Sequence, residues 1–273
     1  MRKNIKDWSE IKLVVTDIDG TLVNSAYQLS DDFYAIFDKL RARGLLFAVA
    51  SGRQYFNLVN RFESIKEELI FIAENGSYVV DQGEEILVQA IEHAIVKDLI
   101  IEARTIADTY LVLCGKKKAY VESTHAYFIS KVNLYYDKVE FVEDLLQVED
   151  DQFLKIAICD LAGAEANSYR HFQQKSDILQ VKLSGKIWVD LSHKLVDKGR
   201  AIALLQNKYS ISIEETMAFG DYLNDLEMMQ RAYFSYAMEN AHPDIKKAAR
   251  IRAKSNDENG VLEVLQQVLM RMN

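Results

Sequence analysis

Four short segments hold the residues whose types and spacing could do chemistry. The first is Asp17-Ile18-Asp19-Gly20-Thr21. With a turn at Gly20, the period-two spacing lets Asp17 and Asp19 flank one point. Two carboxylates this close are unfavourable unless a cation neutralises them, which points to Mg²⁺, a hard ion bound by a few carboxylates, water and substrate phosphate. An Asp-rich turn closed by Gly and Thr is also an ordinary piece of structure. The second segment, Gly220-Asp221-Tyr222-Leu223-Asn224-Asp225, is acidic too. It could complete the oxygen shell of the same ion, or it could be a loop in which Asn224 or Asp225 caps a helix. In Ser51-Gly52-Arg53, a hydroxyl and free backbone N–H groups at a helix start would bind an anion, although serine there is also a common cap. Lys198 opens a helix, where a positive charge opposes the helix dipole. That suits an anion nearby, yet alone it is compatible with a plain surface lysine.

The surrounding pattern says what positions these residues. Lys12–Thr16 is a short β-branched run that reads as a buried strand. Ser30 is placed to cap a helix with Asp31 and Asp32 in its first turn, Phe33, Ile36, Phe37 and Leu40 on one face, and Gly44 at its end. Leu45–Ala50 is a second strand, Tyr55, Leu58, Val59 and Phe62 mark a second helix, and Leu69–Ala73 is a third strand. Strand, helix, strand, helix, strand at these lengths predicts a parallel sheet with right-handed crossovers. The C-terminal part repeats it: helix Leu195–Tyr209, strand Met217–Phe219, helix Leu223–Arg231, strand Phe234–Met238, a helix opened by Pro243, and a closing helix Val261–Met272. All four chemical segments thereby fall at strand ends or helix starts, where open α/β sheets place ligands.

Residues from about 82 to 184 differ in texture. A helix near Glu92–Ala107 precedes strands Tyr110–Cys114 and Lys118–Glu122, then come Phe153–Asp160, a helical stretch Ala164–Gln174, and a second pair, Leu179–Leu183 and Ile187–Leu191. Strands paired around Gly-containing turns predict an antiparallel sheet with helices on one face. The fold expected is a doubly wound α/β core of residues 1–81 and 185–273, with an inserted α+β domain of residues 82–184.

Composition removes several function classes. With 273 residues, 49% hydrophobic and 27% charged, the chain is long enough for a sizeable core in one or two domains. Lys and Arg number 33 against 41 Asp and Glu, a net charge of −8, which disfavours nucleic acid and anionic membranes as partners. The longest apolar stretch, Leu45–Ala50, is far below the roughly 18 to 20 residues a span needs, and Met1-Arg2-Lys3 leads into no signal-peptide core. A cytoplasmic location is expected. Cys114 and Cys159 form no CxxC or Cys/His cluster and are read as buried apolar residues. His93, His125, His171, His193 and His242 lack metal-ligand spacing and are assigned to surface or capping roles. Lys116-Lys117-Lys118 reads as a hairpin tip, and Tyr135 and Tyr136 as core.

Taken together and in order, Asp-x-Asp, Ser, Lys and Gly-Asp-x-x-Asn-Asp resemble the haloacid dehalogenase superfamily of phosphohydrolases. Ala73–Ser77, Ala237–Ala241 and Asn256–Val261 resemble its Cof-type subgroup (subclass IIB), whose large cap lies between the Ser and Lys motifs, as residues 82–184 do here. Glu239 stands where that subgroup often has glycine. The resemblance implies an aspartyl-phosphate mechanism in which Asp17 is the nucleophile and Asp19 the general acid and base. Mg²⁺ would be held by Asp17, the backbone carbonyl of Asp19, and Asp221. Ile18, Ser51, Gly52, Lys198 and Asn224 would contact phosphate, with Thr21 and Asp225 supporting Asp19 and Lys198 from behind. The substrate class implied is a small phosphate ester such as a sugar phosphate, nucleotide, flavin mononucleotide or pyridoxal phosphate, acted on by a monomer or homodimer. A phosphomutase of the same superfamily and a catalytically silent phosphate binder are the alternatives. A signalling receiver is disfavoured because it has no acid two residues after its nucleophile and no insertion.

Overall fold

The computed structural model describes residues 7–272, so the Met1-Arg2-Lys3 reading lies outside the described residues. The chain forms two compact units, Met1–Ser51 with Lys198–Asn273, and Gly52–Asp197.

The first unit is built on five parallel strands in the order Ile251–Ala253, Phe234–Met238, Thr216–Gly220, Leu13–Thr16, Leu46–Ala50. Leu13–Thr16 lies between two neighbours, and all four of its residues are buried, as the unbroken apolar run requires. Its register pairs Thr16 with Phe219 on one side and Val49 on the other. Three strands therefore end level with one another, and Asp17, Ser51 and Asp221 leave from their carboxyl ends.

The flanking helix Asp32–Arg41 buries Phe33, Ile36, Phe37 and Leu40 at the expected spacing. Phe33 and Phe37 meet Phe47 of the second strand edge-on, with ring centroids 5.6 and 5.7 Å apart. Gly44, at φ +81°, ends this helix: its N–H bonds Arg41 O and the next N–H, of Leu45, bonds back to Leu40 O, a Schellman closure. The Ser30 cap is corrected. Asp31 occupies the cap position without a side-chain bond, and it is the Ser30 carbonyl, not its hydroxyl, that takes Phe33 N–H. The long helix begins at Lys198 rather than Leu195, and the closing helix runs Gly260–Arg271. Pro243 opens its helix as expected, with the His242 ring accepting Asp244 N–H. Ile251–Ala253 had no sequence signal, because it is a three-residue edge strand with an exposed central arginine.

The second unit holds a three-stranded antiparallel ribbon, Ile70–Ala73, Tyr78–Asp81 and Glu84–Val88. It also holds a six-stranded sheet in the order Leu179–Gly185, Trp188–His193, Phe153–Asp160, Thr109–Gly115, Ala119–Val121, Val139–Phe141. The sheet is antiparallel as expected except at its end, where Ala119–Val121 and Val139–Phe141 run parallel. That pairing is possible because the helix Ala126–Tyr135, which the sequence pattern did not reveal, forms a crossover between them. Phe128 and Val132 of this helix pack with Val112, Ala157 and Trp188, and Tyr136 is buried in the same cluster with Tyr135 against it. The stretch Ala164–Gln174 is a π turn, a single α turn and a 3₁₀ turn in succession.

Both cysteines are free and buried. Lys116, Lys117 and Lys118 make partly exposed ion pairs with Glu85, Asp150 and Glu140. Among the described residues, no helix is long and apolar enough to cross a membrane.

Candidate active site

Asp17 is the first residue beyond the central strand, and the strand's hydrogen bonding continues through it: its N–H bonds Phe219 O at 2.9 Å. Its side chain points into a buried polar cluster. Lys198, wholly buried, sets its ammonium nitrogen 2.5 Å from Asp17 Oδ1 and 2.6 Å from Asp225 Oδ1. The other Asp225 oxygen accepts the backbone N–H groups of Asp221 and Tyr222 at 2.9 and 3.2 Å. Thr21, expected beside Asp19, donates its hydroxyl to Asp221 Oδ1 at 3.0 Å. Asp17, Asp221 and Asp225 each offer an oxygen within 4.8 Å of the others.

One ammonium against three carboxylates leaves an excess of negative charge. Burial, aided by the repulsion of Asp225 and Asp19 and opposed by Lys198, pushes Asp17 up to about 7. Burial and the neighbouring Asp17 and Asp225 likewise hold Asp221 well above the usual carboxylate range. Lys198 loses solvation too, yet Asp17 and Asp225 outweigh that loss and raise its affinity for a proton. A hard divalent cation fits such a donor set. Both Asp225 oxygens are already engaged by Lys198 and two amides, so Asp17 and Asp221 are the carboxylates able to face an ion.

Two glycines permit this closeness. A Cβ on Gly20, at φ +77°, would lie 2.4 Å from Asp221 Oδ2, and one on Gly220 would lie 2.6 Å from Asp225 Oδ2. Asp19 is half-buried on the loop after Asp17, and Ile18 is fully buried. Ile18 O accepts the N–H groups of Thr21, Leu22 and Val23, which curls the loop back over the strand end. Asn240 Nδ2 donates to Gly20 O at 2.8 Å, Asn256 Nδ2 to Val23 O at 2.9 Å, and Asn256 N–H to Asn240 Oδ1 at 3.1 Å. The segments Ala237–Ala241 and Asn256–Val261 thus hold the acidic loop in shape. Their asparagines were visible in the sequence, but the loop carbonyls they hold, of Gly20 and Val23, are more than two hundred residues away.

Ser51 is buried directly after its strand, and Asn224 is buried in the 3₁₀ turn Leu223–Asp225. The helix after Ser51 starts only at Tyr55, with Gln54 as its cap, so Ser51 is not a helix cap and Gly52 lies in a loop, not in a helix's first turn. Gly52 is the first residue of the second unit. Gly199 was also missed: a Cβ there would lie 2.6 Å from Glu227 O, so only glycine lets the Lys198 helix approach the helix Leu226–Gln230 this closely.

Parallel strand ends, a buried lysine shared by two aspartates and a third aspartate beside them make up the candidate site. Residues 14–265 match the model of the haloacid dehalogenase-like hydrolases, so the chain belongs to that family, in its Cof-type branch, and is a phosphatase. Among its relatives, the 5-amino-6-(5-phospho-D-ribitylamino)uracil phosphatase YbjI of Escherichia coli is 32% identical over 262 residues, covering 95% of this chain and 96% of the relative. A phosphatase of Bacillus subtilis named for the same substrate, YcsE, is 24% identical over 94% of this chain and 95% of its own. A crystal structure of a Streptococcus mutans protein superposes with a TM-score of 0.89 at 29% identity, covering 95% of this chain and 99% of that one.

Proposed function

We propose that this phosphatase is Mg²⁺-dependent and hydrolyses a small phosphorylated metabolite through a covalent aspartyl-phosphate on Asp17. The observation that carries the reading is Lys198, held between Asp17 and Asp225 at 2.5 and 2.6 Å beside the Asp221 carboxylate. Asp225, anchored by two backbone amides, fixes the lysine, and the lysine in turn orients Asp17.

One Asp17 oxygen attacks phosphorus while the bond to the ester oxygen breaks, and that oxygen leaves with the electron pair and a proton from Asp19. Asp19, half-buried on the adjoining loop, then takes a proton from water. The water attacks the same phosphorus, and the bond to Asp17 breaks to free phosphate. A carboxylate approaching a phosphate meets a repulsion of about 4 kcal/mol per unit pair at roughly 4 Å and an effective dielectric near 20. Lys198 offsets part of this, with the Ser51 hydroxyl, the Asn224 amide and the N–H groups of Ile18 and Gly52 as donors to the phosphoryl oxygens. Mg²⁺, held by Asp17, Asp221 and the backbone carbonyl of Asp19, would supply the remaining positive charge.

Residues 82–184 are proposed as the cap that selects among substrates. Because three relatives carry that substrate in their names, 5-amino-6-(5-phospho-D-ribitylamino)uracil is the first compound to assay, with sugar phosphates, nucleotides, flavin mononucleotide and pyridoxal phosphate beside it. Phosphate release should require Mg²⁺ and be inhibited by beryllium fluoride, a phosphoryl mimic. Turnover that survives complete removal of divalent metal, or transfer of phosphoryl to a sugar in place of water, would overturn it.

A further inference from the structure

A second buried lysine lies outside the acidic cluster. Lys155 sits in the strand Phe153–Asp160, is 2% exposed, and carries its charge to the loop that follows Ser51. Its ammonium nitrogen lies 2.7 Å from the Gly52 carbonyl oxygen, 2.8 Å from Glu74 Oε2 and 3.5 Å from Asp190 Oδ2. Asn75 Nδ2 donates to the same Asp190 oxygen at 2.6 Å. The neighbouring carbonyl, of Arg53, accepts Glu74 N–H at 3.1 Å. Two successive carbonyls after Ser51 are therefore held from one side, by Lys155 and by the Glu74–Asn75 turn.

That turn is itself unusual. Glu74 and Asn75 both adopt left-handed backbone angles, φ +50° and +58°, which are unfavourable for residues with a Cβ. The turn places the Asn75 side chain where a Cβ on Gly52 would come within 3.1 Å of it. A glycine at 52 lets the two segments touch. Burying one lysine and two carboxylates is not a route to stability, since apolar side chains of similar volume usually do as well or better. What this cluster does that apolar residues could not is hold a backbone carbonyl in one orientation.

We propose that Lys155, with Glu74, Asn75 and Asp190, is a positioning device for the phosphate-binding loop. Holding the Gly52 carbonyl fixes the Gly52–Arg53 peptide plane, and with it the shape of the loop in which the Ser51 hydroxyl and the Gly52 N–H meet the phosphoryl group. This rests on the reading of Ser51 and Gly52 as phosphate contacts. A loop set in advance binds phosphate without an ordering cost, so releasing it weakens phosphate binding more than it slows bond breaking.

The test uses the full chain labelled with ¹⁵N-glycine. Eleven glycines make the spectrum assignable, and Gly52→Ala identifies the Gly52 resonance. In the wild type with Mg²⁺, inorganic phosphate should shift that resonance, and phosphate should inhibit ester hydrolysis. The double variant Lys155→Met/Glu74→Gln removes the ammonium without leaving its nearest carboxylate unpaired. It should lose the phosphate-induced shift and raise KM and the phosphate inhibition constant by roughly ten-fold or more, with a smaller change in kcat. Lys155→Arg keeps the charge but cannot put a single compact donor at the same point. It should move the same quantities in the same direction, and it decides the matter if the double variant does not fold. A variant that melts lower yet keeps the wild-type shift, KM and inhibition constant would reduce the cluster to packing and overturn the proposal alone. No shift and no ester hydrolysis in the wild type itself would overturn the phosphate-site reading, and this inference with it.

Discussion

Asp17 and Asp19 stand two residues apart, yet their surroundings differ. Asp17 is buried against Lys198, whereas Asp19 is half-buried on a loop, so their loss should have different signatures. Asp17→Asn should abolish turnover and covalent phosphorylation together. Asp19→Asn should slow the first step least for p-nitrophenyl phosphate, whose leaving group needs no proton, and most for alkyl phosphates. Equal loss on both, with chemistry rate-limiting, would take Asp19 out of the acid role. The raised proton affinity of Asp17 also has a consequence for stability. Its folded value of about 7 lies above the ordinary 3.8, so without metal the folded state binds the extra proton between these values. The associated stability is complete below about pH 4 and is lost as pH rises through 7. Saturating Mg²⁺ should therefore raise Tm more at pH 8 than at pH 5.5. Thermal scans at both pH values, with and without Mg²⁺, check this, and an equal or reversed difference would contradict it.

Among the elements that carry these residues, the helix Lys198–Tyr209 is closely packed at its start. Its second residue, Gly199, faces the Glu227 backbone with no space for a methyl group. In an open helix alanine would gain about 1 kcal/mol over glycine; here overpacking against backbone should lose about 1–3 kcal/mol. Gly199→Ala should accordingly lower Tm and, by shifting Lys198, lower kcat as well. A raised Tm would mean that the helix can move away freely. The asparagines that tie the acidic loop should behave differently. Asn256→Ala removes a buried donor from Val23 O, a loss of about 1–3 kcal/mol. Because it frees a loop rather than a catalytic group, urea denaturation should register it fully.

For the molecule entire, residues 82–184 are tied by hydrogen bonds to the rest of the second unit, Gly52–Asp197. Ser77 Oγ donates to Leu154 O, Gln54 binds the backbone of Asp137 and Lys138, and Asn57 and Asn60 both donate to the Asp137 carboxylate. Replacing residues 82–184 by a Gly/Ser linker removes all these partners, so the product should melt far below the wild type. Whatever fraction remains folded should lose its ranking among phosphate esters. An unchanged ranking would move selectivity to the loops of the first unit. Much of this molecule was legible in the amino-acid order alone. Apolar runs such as Leu13–Thr16 and the stripe Phe33, Ile36, Phe37 and Leu40 need only local periodicity, and Asp-x-Asp with Gly-Asp-x-x-Asn-Asp needs only short spacing. The helix Ala126–Tyr135 and the strand Ile251–Ala253 escaped because their hydrophobic patterns are weak or too short. Long-range placement was beyond reach for a different reason. That Lys198 binds both Asp17 and Asp225, that Thr21 turns to Asp221, that Asn256 holds Val23, and that Lys155 holds Gly52 are facts about residues 27 to 233 positions apart. Chain folding alone brings them within 3 Å, and their hydrogen bonds exist only once burial has removed the water that would otherwise compete.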